Sequence, residues 1–302
     1  MEFTALRYFH EAARTGSIRR ASEILHVTPS SVSRAVSALE HEFGAPLFER
    51  GAKGVTLTAA GTLLARQTGS MFRNLDRVRD SIDDLRGLNR GKVILYGAEG
   101  LVAEFLPRVI HDFRARHPQI GFDIHFDSTD AIVAAVLDDV ADIGITFNGP
   151  QRLDIATLAE YTEPLCCIVQ PNHPLEARAS DGAVKLADLV DMPLALPETS
   201  FGMRRMVDKA FSGASSRPRI VINTNSLELT KRVAMEGDAV AFMPTFMVRD
   251  EIAAGRLSAL RVLDPAFQEA KVSLCVHRDR ELSFAAKALV ETLSRHFRDL
   301  QM

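Results

Sequence analysis

Through the first ninety residues, apolar side chains recur at steps of three and four, the spacing of one helical face; beyond them that pattern alternates with short apolar runs. Phe3, Leu6, Phe9, Ala12 and Ala13 predict a first amphipathic helix from Phe3 to Arg14. Ser17 can cap a second, whose Ala21, Ile24 and Leu25 form its expected buried side. After His26 and Val27 a third begins: Thr28 can cap it, Pro29 suits a first position that needs no amide donor, and Val27 can staple against Val32. Val32, Val36 and Leu39 then share one face and leave Ser30, Ser33, Arg34 and Ser37 on the other. Helices joined by so few residues cross steeply, which is a helix-turn-helix.

Gly44 stops the third helix. Leu47 and Phe48, a polar turn through Lys53 and Gly54, and Val55 to Leu57 then read as a short hairpin with a basic tip. From Thr58 on, Leu64, Met71, Leu75, Val78, Ile82 and Leu85 mark a long helix with a coiled-coil seam. About thirty helical residues span roughly 45 Å, too long to bury the seam against a small domain. A second copy of the helix is the expected partner, and a solvent-bridging linker packed on its own chain is the alternative.

Gly87 to Gly91 end that helix. Strands are expected at Val93–Gly97, Phe122–Phe126, Asp142–Phe147, Leu194–Pro197, Ile220–Asn223, Ala239–Met243 and Val272–Val276, with a further apolar run at 164–170. Helices are expected at Val102–His117, Ala131–Leu137, Phe201–Phe211, Leu227–Met235 and Phe284–Phe297. The alternation argues a mostly parallel sheet in each of two α/β lobes, the chain crossing to the second near Glu163 and returning near Pro265. The expected divisions are 1–58 for the winged domain, 59–88 for the linker helix and 89–302 for the lobes, the first lobe about 89–163 with 266–302 and the second about 164–265.

Composition adds bounds. At 46% hydrophobic and 25% charged residues the chain is ordinarily globular. No run approaches a membrane span, and Met1 begins an amphipathic helix where a signal peptide would need a basic and then an apolar stretch, so a cytoplasmic protein is expected. Residues 1–90 hold 13 Lys and Arg against 10 Asp and Glu, whereas residues 91–302 hold 23 against 29. Any polyanion contact therefore belongs to the N-terminal part. Cys166, Cys167 and Cys275 lie in apolar runs without metal or disulfide spacing and read as reduced core residues; redox sensing is the alternative. No nucleophile elbow, phosphate loop, dinucleotide fingerprint or metal-ligand spacing occurs, and the histidines are scattered. The sequence names no catalytic residue, cofactor or metal.

The outer face of the third helix is short, hydroxylated and basic, which suits entry into a DNA major groove. Thr28, Ser30, Ser31, Ser33, Arg34 and Ser37 are candidate contacts on it, and Arg19, Arg20, Arg50 and Lys53 are candidates for phosphates. The run Gly16-Ser17-Ile18, Ala21-Ser22, Leu25, Val27 to Arg34, Leu39-Glu40, Gly44, Leu47-Phe48, Arg50, Leu57-Thr58 and Gly61 resembles the winged helix-turn-helix of the LysR-type transcriptional regulators. Lys53 stands where an arginine is more usual in that family, and lysine lacks the bidentate fork. The resemblance implies an α/β chain with a winged helix-turn-helix, a linker helix and a two-lobed effector-binding domain of periplasmic-binding-protein type. It further implies a homodimer or homotetramer on a partly palindromic double-stranded operator, a small-molecule effector, and contact with RNA polymerase.

Ligands of open parallel sheets bind beyond the carboxyl ends of strands. The candidate effector residues there are Ala98, Glu99, Gly100 and Leu101; Ser128 and Thr129; Phe147 and Asn148; Ser200, Phe201 and Gly202; and Thr224 and Asn225, next to Ser226. Helix capping explains many of them singly, and a cleft explains them together. Helix N-termini favour an anion, but Glu99 would repel one, so the expected effector is a small polar metabolite with donors and acceptors. A solute-binding protein would leave the first ninety residues unexplained, and an α/β enzyme lacks a chemistry motif.

Overall fold

The computed structural model describes residues 2–51, 54–85, 90–102, 105–212 and 218–300. Lys53 lies outside the described residues, as do the side chains of Arg50 and Leu85. Contacts divide the chain into two compact units, residues 1–79 with 138–140 and residues 80–137 with 141–302.

The first unit opens with α1 (Phe3–Thr15), α2 (Ile18–Leu25) and α3 (Pro29–Phe43). Each stop and start has a local cause. Gly16 ends α1 in the left-handed region at φ 64°, and the Ser17 hydroxyl caps α2 by accepting the Arg20 amide at 3.3 Å. Thr28 caps α3 by accepting the Ser31 amide at 3.3 Å, with Pro29 at the first helical position. Phe9, Ala12, Ala21, Val32, Val36 and Leu39 meet in one core. Ile24 departs from expectation and is exposed. The face that packs runs through Ile18, Ala21, Ser22 and Leu25, and a residue two positions from Ser22 points well away from it.

The wing consists of β1 (Phe48–Gly51) antiparallel to β2 (Gly54–Leu57), followed by α4 (Ala59–Leu85). Glu40 of α3 accepts the Leu47 and Phe48 amides at 2.9 and 3.3 Å, which fixes where the wing leaves the helices. Gly61 brings α4 against the wing so closely that a Cβ there would stand 1.9 Å from the Leu47 carbonyl oxygen.

In the second unit the chain runs β3 (Gly91–Gly97), α5 (Phe105–Arg116), β4 (Ile120–Phe126), α6 (Thr129–Leu137), β5 (Ile143–Phe147) and β6 (Ile155–Thr162). It continues through β7 (Leu165–Val169), α7 (Pro174–Arg178), β8 (Ala183–Val184), β9 (Pro193–Pro197), α8 (Gly202–Phe211), β10 (Arg219–Thr224) and α9 (Leu227–Glu236). It ends with β11 (Ala241–Pro244), α10 (Arg249–Ala253), β12 (Ser258–Val262), α11 (Pro265–Gln268), β13 (Lys271–His277) and α12 (Phe284–Asp299).

One lobe holds the sheet β4-β3-β5-β13-β6; the other holds β10-β9 and β11-β7-β12-β8, joined by a bridge from Leu194 to Val240. The sheets are mixed, where mostly parallel ones were expected. β3 pairs parallel with β4 and β5, but the returning β13 enters antiparallel between β5 and β6, and β7 runs antiparallel to both β11 and β12. Of the helix expected from Val102, the described part is α5 (Phe105–Arg116), while Val102 itself belongs to a 3-10 turn at Glu99–Val102. Pro107 accounts for this: it must sit within the first turn, where its missing amide leaves no bond unmade. Val93, Leu95, Ile143 and Ile145 pack with Phe113 of α5 and Leu289, Leu293 and Phe297 of α12 in the main core.

Candidate functional site

Two regions gather the candidate residues. On α3, Val32, Val36 and Leu39 are buried while Ser30, Arg34 and Ser37 are exposed and Ser31 and Ser33 half-buried. The Thr28 hydroxyl lies 2.9 Å from both the Ser30 and the Ser31 hydroxyl, so the start of the helix presents a connected patch of hydroxyls. Arg19 and Arg20 project from α2, also exposed. The structure thus places Arg19, Arg20, Thr28, Ser30, Ser31, Ser33, Arg34 and Ser37 on or beside the solvent face of α2 and α3, with no side chain of the core among them.

The second region lies between the lobes, where β3, β4, β9 and β10 end. A cavity of about 430 Å³ is lined by Glu99, Phe126, Asp127, Ser128, Glu198, Ser200, Phe201, Asn225 and Ser226. An adjoining recess shares Glu99 and Phe126 and adds Gly100, Lys231, Met243 and Met247 among others. Of the expected effector residues, Glu99, Ser128, Ser200, Phe201 and Asn225 meet in the cavity and Gly100 in the recess.

The others do not reach it. Leu101 is fully buried in the core, because the 3-10 turn carries it beneath β3. Ala98 is half-buried and donates its amide to the Ile145 carbonyl at 3.3 Å. Asn148, left-handed at φ 48°, turns the chain away, and it lines a separate groove with Thr146 and Lys271. The Thr224 hydroxyl is taken up locally, accepting the Ser226 amide at 3.1 Å. Thr129, Phe147 and Gly202 form a junction between the lobes. The buried Thr129 hydroxyl accepts the Gly202 amide at 2.9 Å and donates to the Phe147 carbonyl at 3.2 Å. Beside them Asp130 donates its amide to the Ser200 carbonyl and takes an ion pair from Arg205 at 2.8 Å.

Phe126, Asp127 and Glu198 are lining residues that the sequence reading passed over. They lie one or two positions before the chosen capping residues, at the ends of β4 and β9, which stop at Phe126 and Pro197 as expected. Among the described lining residues of the recess the one lysine is already paired: Lys231 pairs with Glu251 at 2.8 Å and with Glu228, also of the recess, at 2.9 Å. Burial pulls its ammonium down, but those two bonds outweigh the burial and hold it above the usual lysine range.

Residues 86–298 match the model of the LysR substrate binding domain, and residues 3–62 match that of the bacterial regulatory helix-turn-helix protein, lysR family. The chain belongs to the LysR family. Among its relatives, the RuBisCO operon transcriptional regulator of Allochromatium vinosum is 29% identical, covering 95% of this chain and 93% of that protein. The HTH-type transcriptional activator CmpR of Synechocystis is 26% identical over the same shares. In fold, the LysR-family regulator CbnR, solved with its target DNA, has a TM-score of 0.68 at 22% identity, covering 98% of this chain and all of its own. A full-length OxyR variant from Pseudomonas aeruginosa scores 0.73 at 22% identity, covering 99% and 95%. The winged helix-turn-helix, linker helix and two-lobed α/β architecture expected from the sequence is the architecture of these LysR-family structures.

In this LysR-family chain the cysteines are free and buried. Burial pushes the Cys166 thiol up to about 11 and the Cys275 thiol up to about 12, and raises Cys167 further, so thiolate formation is disfavoured at all three. Among the described residues no cluster of His, Cys, Asp and Glu could hold a metal ion, and no helix is long and apolar enough to cross a membrane. Along α4, Leu64 and Met71 pack against the winged-domain core, while Leu75, Val78 and Ile82 are exposed. The expected seam thus divides into a part that serves its own domain and a part left open.

Proposed function

We propose that this LysR-type regulator binds double-stranded DNA as a dimer or a tetramer and that a small molecule between its lobes alters operator binding and transcription. The assigned divisions are 1–58 for DNA binding, 59–88 for dimerisation and 89–302 for effector binding, with the lobes changing over near 164 and 266. The reading rests above all on one observation: the hydroxyl and arginine side chains of α3 face solvent while its apolar side chains fill the core. Such a helix reads base edges from its first turn, and phosphate contacts fix its register. The effector would act by favouring one arrangement of the lobes. Leu75, Val78 and Ile82 would face a second copy, setting two reading heads at a fixed spacing on a partly palindromic site. RNA polymerase is the further partner, the cytoplasm the compartment, and no catalytic step is assigned. A gel-shift titration on the chain's own upstream region tests the reading. Sequence-specific retardation that changes with effector supports it, and affinity equal to that for unrelated DNA refutes it.

A further inference from the structure

We propose that the cavity between the lobes takes a cationic ligand, an amine or guanidinium compound of metabolite size. The proposal deepens the effector reading and rests on it. Helix N-termini by themselves would favour an anion, and α6, α8 and α9 all begin near this cavity. At each of these starts at least one amide is already engaged. Asp127 accepts the Ser128 amide at 2.7 Å, so one of the protein's own carboxylates occupies the place at the start of α6 that an anionic ligand would take. The Ala131 amide goes to the Ser128 hydroxyl at 3.4 Å, the Gly202 amide at the start of α8 to Thr129, and the Leu229 amide of α9 to the Ser226 hydroxyl at 3.2 Å. A ligand carboxylate would find those four donors spent.

The charges of the lining point the same way. Glu99, Asp127 and Glu198 line the cavity, and none of its described lining residues is Lys, Arg or His. Among the described residues Glu99 and Glu198 make no ion pair, whereas the only lysine of the adjoining recess is held between Glu228 and Glu251. Three like charges around one space repel an acid and attract a base, and the partial exclusion of water strengthens both effects. Phe126 and Phe201 supply aromatic faces on which an ammonium or guanidinium group can rest. Ser128, Ser200 and Asn225 supply acceptors for its N–H groups. The volume suits a small metabolite.

The test uses the full chain, with putrescine and agmatine as cationic probes and succinate and benzoate as carboxylate controls, all at matched ionic strength. Saturable stabilisation in thermal melts by a cationic probe, with none by the carboxylates, is the expected result. In the Glu99→Gln/Glu198→Gln double variant the affinity for that probe should fall on the order of tenfold or more, while Glu291→Gln on α12, the same kind of charge change away from the cavity, should leave it unaltered. Stabilisation by a carboxylate equal to that by the amines, no binding of either cation, or an undiminished cation response in the double variant would each overturn the proposal. Gel shifts on the same preparations separate the two readings. Specific DNA binding that persists when the cations fail removes only the ligand class, and absence of specific DNA binding removes the regulator reading itself.

Discussion

Thr129 and Gly202, 73 residues apart in sequence, are joined by a hydrogen bond of 2.9 Å from the Gly202 amide to the Thr129 hydroxyl, and both are buried. The same hydroxyl donates to the Phe147 carbonyl, so one side chain satisfies two buried backbone groups from different lobes. Thr129→Val keeps the shape and strands both groups. It should cost about 1–3 kcal/mol, the usual penalty for a buried polar group left unpaired, read as a lower urea midpoint, and Thr129→Ser should recover most of the loss. An unchanged midpoint for the valine variant would mean that the junction carries no load.

The outer face of α3 is where a change should separate binding from folding. Arg34→Ala and Ser33→Ala alter a solvent-facing and a half-buried side chain, so operator affinity should fall while the melting temperature stays. Val36→Asp introduces an unpaired charge at a fully buried position of the same helix and should unfold the winged domain. Circular dichroism beside gel shifts distinguishes the two. If Arg34→Ala melted like Val36→Asp, the outward face would be structural and the reading head lost. Lys53→Ala should weaken all sequences alike and lower the salt slope by about one contact's worth.

How far the sequence speaks depends on how local the cause is. The start of α3 is legible because Thr28 and Pro29 act within one turn, and the wing because its turn residues sit between short apolar runs. The edge strand β6 is not. It alternates buried and exposed residues weakly, leaves Leu158 in solvent, and depends on β13 more than a hundred residues later. The effector loops show the same limit. Capping residues mark where helices begin, but whether a hydroxyl then faces a ligand or the other lobe is decided by a distant partner. Ser128 and Thr129 are neighbours in the chain, and only the first lines the cavity.

The exposed part of the α4 seam should hold two chains together. Leu75 and Val78 are 39% and 54% exposed, an arrangement that an isolated helix gains nothing from and a second copy would bury. Leu75→Glu combined with Val78→Glu should shift the sedimenting species toward monomer and weaken operator binding through the lost second head. Leu64→Ala, by contrast, should lower thermal stability with the assembly intact, since Leu64 packs on its own domain. An unaltered sedimentation coefficient in the double glutamate variant would place the interface elsewhere.

His10 ties stability to pH. Its ring lies against Phe72, with centroids 5.2 Å apart, and its Nδ1 is buried without a hydrogen-bond partner among the described residues. Burial lowers its pKa below 6.5, Glu11 opposes the shift, and Arg73 and Arg14 add to it. The sign follows from which state binds the proton. Below pH 6.5 the unfolded chain takes up a proton that the folded chain still refuses, so the stabilisation present above that value is lost as pH falls toward the lowered folded value. Melts of the full chain between about pH 7.5 and 5 should therefore show falling stability on the acid side, in a range where ordinary carboxyls still contribute little. His10→Phe keeps a ring against Phe72 and removes the titration, and it should flatten that slope. An identical slope in the variant would assign the pH dependence to other groups, because His10 would then bind protons equally in both states.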